Sequence, residues 1–324
     1  MSTTAAKKIA RAPRRATRSS APWKVRRVAG LPVLGAAEFG QLDWLVHGFS
    51  TRPGGASDMP GASRGNSRGT RRKSAAVLNL GFCDWDSREH VADNRRKFFH
   101  AIGADKFRSV TLRQRHSDIV QRVDASEKRE AGTVQGDALF TREPGVLLCV
   151  QIADCVPILL ADTKKRAVAA IHAGWRGTLR RIAAKTLGRM QMEFGTRPED
   201  VVAALGPCIG RCCYEVGSDV AREFHAQFPS AREWFDGPYD ALASGENDPN
   251  WLPWLTMMPP GHPPPSPRVH LDLIAANHTI LNEAGVPARQ ISSSGLCTAC
   301  RTALLFSYRR EGATGRLMAA IGIR

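Results

Sequence analysis

The sequence predicts an α+β fold: a single domain of mixed sheets flanked by helices. Strand-length apolar stretches and stretches of helical spacing follow one another without strict alternation, which argues against a doubly wound parallel sheet. Of 324 residues, 43% are hydrophobic and 7% aromatic, a globular composition that excludes a wholly disordered chain, a collagen or a coiled coil. No window approaches 18 uninterrupted apolar residues, which excludes a spanning helix.

The elements can be justified in chain order. Residues 44–49 have strand character and end in the turn-rich Ser50-Thr-Arg-Pro-Gly-Gly55. Structure resumes at 77–80. Residues 87–102 show helical spacing behind a Ser start, with Val91, Phe98 and Phe99 on the apolar side. Strands are expected at 110–112 and 119–123, flanking the polar Arg113-Gln-Arg-His-Ser-Asp118. The densest apolar run, 145–161, is interrupted by Ala153-Asp-Cys-Val-Pro157, and an apolar run that pauses to place a carboxylate and a thiol marks a bulge or a site. A short buried strand is expected at 167–171, a helical stretch after Thr178 to about Phe194, a strand at 201–205 and a helix at 216–228. Residues 229–268 hold ten of the twenty prolines and three tryptophans, Trp234, Trp251 and Trp254, which predicts a long insertion. A helix over 271–284 and closing strands at 304–308 and 317–323 complete the chain.

Charge is the unusual feature. Lys and Arg total 46 against 30 Asp and Glu, a net +16, which by itself suggests nucleic acid or an anionic surface. Residues 1–28 carry nine basic residues and no acid, and 61–75 carry five more and no acid. These segments are expected to be a disordered basic tail and a basic loop insertion, the latter within 56–75, both solvated. The remaining body, residues 29–324 apart from that loop, is nearly neutral. The apolar stretch 28–37 behind Arg26-Arg27 imitates an export signal, but its glycines and proline weaken the likeness. Eight cysteines in a chain of this size do not form a disulfide framework, and a reducing, cytoplasmic setting fits them. No membrane contact and no nucleic-acid partner are expected.

Nine histidines occur, with no pair at i, i+2 or i, i+4, so neither an HxH copper pattern nor an HExxH zinc helix is present. His116 lies in a polar segment between apolar stretches, and His172 sits at a strand edge beside Gly174 and Gly177. On residue type alone, each could be a satisfied structural histidine and Cys155 an inert buried thiol. A second group, Cys208, Cys212, Cys213, Cys297 and Cys300, offers a four-thiolate site from Cys297-x2-Cys300 with Cys208-x3-Cys212. It lacks the usual tandem spacing, and buried free thiols are the simpler reading.

Six ordered motifs carry a family resemblance: Arg113-Gln-Arg-His116-Ser-Asp, Gly136-Asp-Ala-Leu, Ala153-Asp-Cys155-Val-Pro, His172-Ala-Gly-Trp-Arg176-Gly, Leu205-Gly-Pro-Cys-Ile-Gly and Phe306-Ser-Tyr-Arg-Arg310-Glu-Gly-x-Thr-Gly-Arg316. Together they resemble the YfiH-type laccase-domain family, whose names include polyphenol oxidase, purine nucleoside phosphorylase and peptidoglycan editing factor. The likeness runs from about His47 to the C-terminus, omits residues 1–28, and finds 56–75 and 229–268 longer than the family's usual loops. It implies a layered α/β sandwich and one zinc ion held by His116, Cys155 and His172. A thiolate and two imidazoles suit tetrahedral zinc with a fourth position open, and such sites lower the pKa of bound water to roughly 7.

The resemblance further implies phosphorolysis of adenosine, inosine, guanosine and methylthioadenosine, with deamination of adenosine. Arg52, Arg309 and Arg310 are candidates for binding phosphate, because guanidinium grips it bidentately, with Gln114 a further substrate contact; Arg176, beside the metal histidine, is a candidate for the same clamp and for catalysis. Asp154 and Asp137 are candidates for orienting a metal ligand or for acid–base work. A multicopper oxidase needs on the order of ten paired histidines, which this chain lacks; copper could still replace zinc at a single site. An alternative is a Cys155–His172 amide hydrolase editing peptidoglycan precursors. A third reading makes the basic tail a nucleic-acid or surface-binding module.

Overall fold

The computed structural model describes residues 23–59, 76–124, 133–237 and 268–324. Two six-stranded sheets stack face to face and helices cover their outer sides. The first sheet runs in the order β1 (Lys24–Val28), β2 (Leu31–Gly35), β3 (Leu45–Ser50), β16 (Leu317–Ile323), β8 (Val146–Ile152), β5 (Arg108–Thr111). The second runs β15 (Ile291–Ser293), β11 (Val201–Leu205), β9 (Val156–Asp162), β10 (Ala167–Ala173), β7 (Ala138–Thr141), β6 (Val120–Arg122). Pairings are mostly antiparallel, with parallel pairs at β5–β8, β6–β7 and β11–β15. The mixed α+β architecture is the predicted one.

Strand alternation builds the layers. In β8, Leu148 and Val150 face the space between the sheets, where Leu159, Ala161, Val168 and Ala170 of the second sheet meet them. Leu147 and Cys149 turn outward under α1 (Arg88–Ala101), beside Phe98. In β9 and β10, Ile158, Leu160, Ala169 and Ile171 face the other way, onto α3 (Ile182–Phe194) and α5 (Leu273–Glu283). Strands buried on both faces read as continuous apolar runs, which accounts for the density of 145–161. Its interruption is the crossing from the first sheet to the second.

Helix ends follow the sequence closely. Ser87 caps α1 by accepting a hydrogen bond from the His90 amide at 3.0 Å, and Asp272 caps α5 through the Ala275 amide at 2.9 Å, each satisfying an otherwise orphaned N–H. The helix expected after Thr178 is preceded by a short one: α2 (Trp175–Leu179) comes before α3, separated from it by Arg181 at φ +58°. The helix expected from residue 216 begins later, as α4 (Ser218–Gln227), because Val216 instead pairs in a small sheet formed by β12 (Glu215–Val216), β14 (Val269–Leu271) and β13 (Phe235–Asp236).

Three expectations are corrected. The basic tail does not extend to residue 28: β1 folds back on β2 through Ala29 and Gly30, at φ +49° and +82°. Two consecutive positive φ values make the hairpin turn whose twist matches paired strands, and β1 exposes its Lys and Arg as an edge strand does. The apolar stretch behind it is the fully buried β2. Residues 304–308 are not a strand: Leu305 and Phe306 are buried as a plug between the sheets, and the chain turns directly into α6 (Tyr308–Glu311), capped by Ser307. Residues 230–237 belong to the body: Trp234 is buried against the Phe224 and Phe228 rings. Trp251, Trp254, the arginines of 61–75 and residues 1–22 lie outside the described residues. Among the described residues no helix is long and apolar enough to cross a membrane.

Candidate metal centre

His116, Cys155 and His172 come from three separate segments, and their ligand atoms lie within 4.8 Å of one another. Cys155 stands where the chain has just crossed between sheets, behind Asp154 at φ +102°. His172 lies near the end of β10, and His116 occupies the loop between β5 and β6 at φ +56°. Positive φ at non-glycine residues is held only where surroundings over-determine it. Here Asp137 does so for His116. Its carboxylate accepts hydrogen bonds from the amides of Arg115, His116 and Ser117, and from the Ser117 hydroxyl at 2.5 Å. The same carboxylate is 2.8 Å from His172 Nδ1.

One buried carboxylate thus fixes the His116 loop and the His172 ring together. With Nδ1–H donated to Asp137, Nε2 of His172 is the nitrogen left to offer its lone pair to an ion, the tautomer a metal requires. Burial pushes the Asp137 carboxyl up, but the hydrogen bonds from His172 and Ser117 outweigh it and hold it at about 2. Burial raises the Cys155 thiol, yet the charge of His172 and the contact with His116 bring it down to about 6. Burial lowers His172, while Cys155 and Asp137 raise it to about 9. Each group thus favours the charged form of the other when no metal is bound.

The donor set fits a single borderline-soft ion: one sulfur, two imidazole nitrogens and a carboxylate behind one of them. A Cβ at Gly174 would lie 2.9 Å from Cys155 Sγ and 3.0 Å from His116, so only glycine leaves room for the two ligands to converge. An ion held here would displace the His172 proton, and below about 6 would also compete with a proton for Cys155. The apparent affinity is therefore expected to fall about tenfold per pH unit from pH 9 to 6, and more steeply below. Chelator competition across that range checks it; a flat profile would contradict this charge assignment.

The group opens on a cavity of about 780 Å³, lined also by Phe82, Arg95, Arg113, Gln114, Tyr308 and Arg316. Gln114 lines it, although its amide is paired in both directions with the Gln151 backbone at 2.8 Å. The other expected residues do not line it. Arg52 is bound to Glu311 and the Thr302 carbonyl at 2.7 Å each. Arg176 is exposed and lies over the Trp175 ring. Arg309 reaches the Glu215 carbonyl, and Arg310 is exposed on α6. Asp154 spends both carboxylate oxygens on Thr298 and the Arg309 amide, at 2.6 Å each, so it braces the loop before Cys155. Sequence reasoning missed Phe82, Tyr308, Arg95, Arg113 and Arg316 as cavity residues. The available signals were an aromatic after Gly81 in a turn-rich stretch and the terminal Arg of Thr-Gly-Arg316.

The fold and this site define a class: a stacked-sheet α+β protein with a His–Cys–His group at the mouth of a cavity. Residues 46–324 match the family model described as "Multi-copper polyphenol oxidoreductase laccase". The chain is 38% identical over 297 residues to a purine nucleoside phosphorylase of Deinococcus radiodurans, covering 91% of this chain and 94% of that one. It is 33% identical over 245 residues to the adenosine deaminase RL5 of an unknown prokaryotic organism, covering 73% and 84%. The crystal structure of Bacillus licheniformis hypothetical protein YfiH superposes with a TM-score of 0.74 at 28% identity, covering 94% of this chain and all of the other. The chain belongs to the YfiH-type laccase-domain family.

Proposed function

We propose that the chain is a zinc-dependent purine nucleoside phosphorylase, acting on adenosine, inosine, guanosine and methylthioadenosine, that also deaminates adenosine. The observation that carries this reading is the His116–Cys155–His172 group opening on a cavity edged by two exposed aromatics and three guanidiniums. Tyr308, 61% exposed, offers a face for a purine, while Phe82 edges the cavity with the Arg95 and Arg88 guanidiniums lying over its ring. Arg113 offers donors for phosphate, as do the remaining N–H groups of Arg95, whose Nε is held by the Leu80 carbonyl, and of Arg316, one of whose terminal nitrogens is held by the Thr314 and Gly315 carbonyls. Zinc, when bound, supplies Lewis-acid polarisation at its open position. Asp137 keeps the Nδ1 proton on His172, and Asp154 keeps Cys155 in place. The names of the Deinococcus and RL5 relatives support both reactions. Copper can take the same donors, since the divalent series favours it. The reaction needs only small molecules as partners, consistent with a cytoplasmic enzyme.

Incubating purified protein with adenosine, with and without phosphate, tests the proposal by chromatography. Adenine formed only with phosphate establishes phosphorolysis, and inosine establishes deamination; the absence of both products overturns the reading. Arg316→Ala is expected to raise KM for phosphate about 10–100-fold, the loss of one charge-assisted pair, with a much smaller change for the nucleoside. Steady-state kinetics in both substrates would show it.

A second reading has its own observation: Asp137, His172 and Cys155 also form an orienter, base and nucleophile, as an amide hydrolase editing peptidoglycan precursors requires. Alkylation decides between them. Cys155 protected from iodoacetamide by near-stoichiometric zinc supports the metal enzyme, whereas rapid alkylation of the active protein supports the hydrolase.

A further inference from the structure

Four other thiols converge away from the cavity. Cys212 and Cys213 lie in the turn after β11, and Cys297 and Cys300 in the turn after β15. All four sulfurs lie within 4.8 Å of one another, with Cys300 Sγ 3.6 Å from Cys212 Sγ and 3.4 Å from Cys213 Sγ. Cys208, the partner expected from spacing, is not among them. It is buried, and its thiol points to the Ile209 carbonyl. Its backbone instead aligns the two turns, through a parallel bridge to Cys297 and a hydrogen bond from the Thr298 amide to its carbonyl at 2.9 Å.

We propose that Cys212, Cys213, Cys297 and Cys300 bind one zinc ion as a structural tetrathiolate site, separate from the His116–Cys155–His172 centre. A zinc–sulfur bond of about 2.3 Å sets sulfurs about 3.8 Å apart at the corners of a tetrahedron, close to the spacings here. An iron–sulfur cluster spreads its cysteines around several metal atoms and needs them farther apart than this group allows. None of the four thiols is in a disulfide. The Gly210 amide donates to Cys297 Sγ at 3.2 Å, the kind of contact that orients a thiolate ligand. A Cβ at Gly210 would press on Cys297 Cβ at 3.2 Å and Cys212 Sγ at 3.4 Å. Binding exchanges four thiol protons for one divalent ion and leaves a net charge of −2, beside Arg211 and Arg301 in the chain.

The ion closes the long stretch of chain between Cys213 and Cys297, where a metal clip removes the most loop entropy. It also bears on the centre itself. The turn carrying Cys212 and Cys213 holds Asp154 through the Ile209 amide at 2.8 Å. The turn carrying Cys297 and Cys300 holds it through the Thr298 hydroxyl. Joining these turns braces the residue that presents Cys155.

Elemental analysis of the purified full-length protein is expected to give two zinc ions per chain, and one in either Cys297→Ser/Cys300→Ser or His116→Ala. Should the double variant misfold, cobalt substitution of His116→Ala keeps the question open to test. Strong thiolate-to-cobalt absorption is expected to survive there, and mercurial titration of four thiols in that variant is expected to release one ion. A single zinc per wild-type chain that His116→Ala abolishes, a Cys212–Cys300 disulfide in peptide maps, or iron in place of zinc would each overturn the proposal. His116→Ala retaining one ion tests this site whether or not the phosphorylase reading holds.

Discussion

Cys155→Ser is expected to lower zinc affinity at the cavity about 10²–10³-fold and to abolish phosphorolysis. Zinc binding in small four-ligand sites is worth about 10–16 kcal/mol, so an equal share is about 2.5–4 kcal/mol per ligand. Serine keeps the shape of cysteine but is not deprotonated near neutral pH, so it supplies no anionic donor between the two imidazoles. Its fold is expected to persist, because the loop is held by Asp154 and not by the thiol. Zinc titration with circular dichroism separates the two effects. Full zinc affinity in the variant would remove Cys155 from the ligand set.

Asp137→Asn is the other large effect, and it acts on both histidines at once. The wild-type carboxylate accepts from three consecutive amides, a hydroxyl and the His172 ring. An amide of the same size turns its NH2 toward at least one of those donors. Leaving a buried donor unsatisfied costs about 1–3 kcal/mol, so a clear drop in melting temperature is expected. Metal affinity is expected to fall about 10–100-fold, the usual effect of removing a carboxylate behind a ligating histidine. Because the Asp137 carboxyl is held at about 2, the wild type carries no titration of this group between pH 4 and 9. A variant with unchanged metal affinity would reduce Asp137 to a purely structural brace.

How much of this was legible without coordinates varies by element. The α1 helix announced itself through its Ser start and local spacing, and α5 through spacing alone, its Asp272 cap emerging only in the structure. The strands β8 and β9 announced themselves through a run of apolar residues too long and too pure for a half-exposed sheet. The edge strand β1 did not, because Lys24, Arg26 and Arg27 resemble a solvated arm until a hairpin turn pairs them with a buried neighbour. The plug at Leu305 and Phe306 has strand composition but buries its side chains without pairing its backbone.

The same division applies to the two thiol-bearing sites. His116, Cys155 and His172 were readable as a set through ordered motifs. Arginines were not sortable, since a guanidinium committed to Glu311, as in Arg52, looks in sequence like one facing a cavity, as in Arg316. Spacing put Cys208 where the fold puts Cys213, because a two-turn site is composed by the pairing of β11 with β15 and not by intervals along one segment. The sequence by itself determined what recurs within a few residues: strand runs, helix caps and motif order. Only the tertiary structure decided which charges and thiols meet, because ion pairs and metal groups depend on distances between segments far apart in the chain.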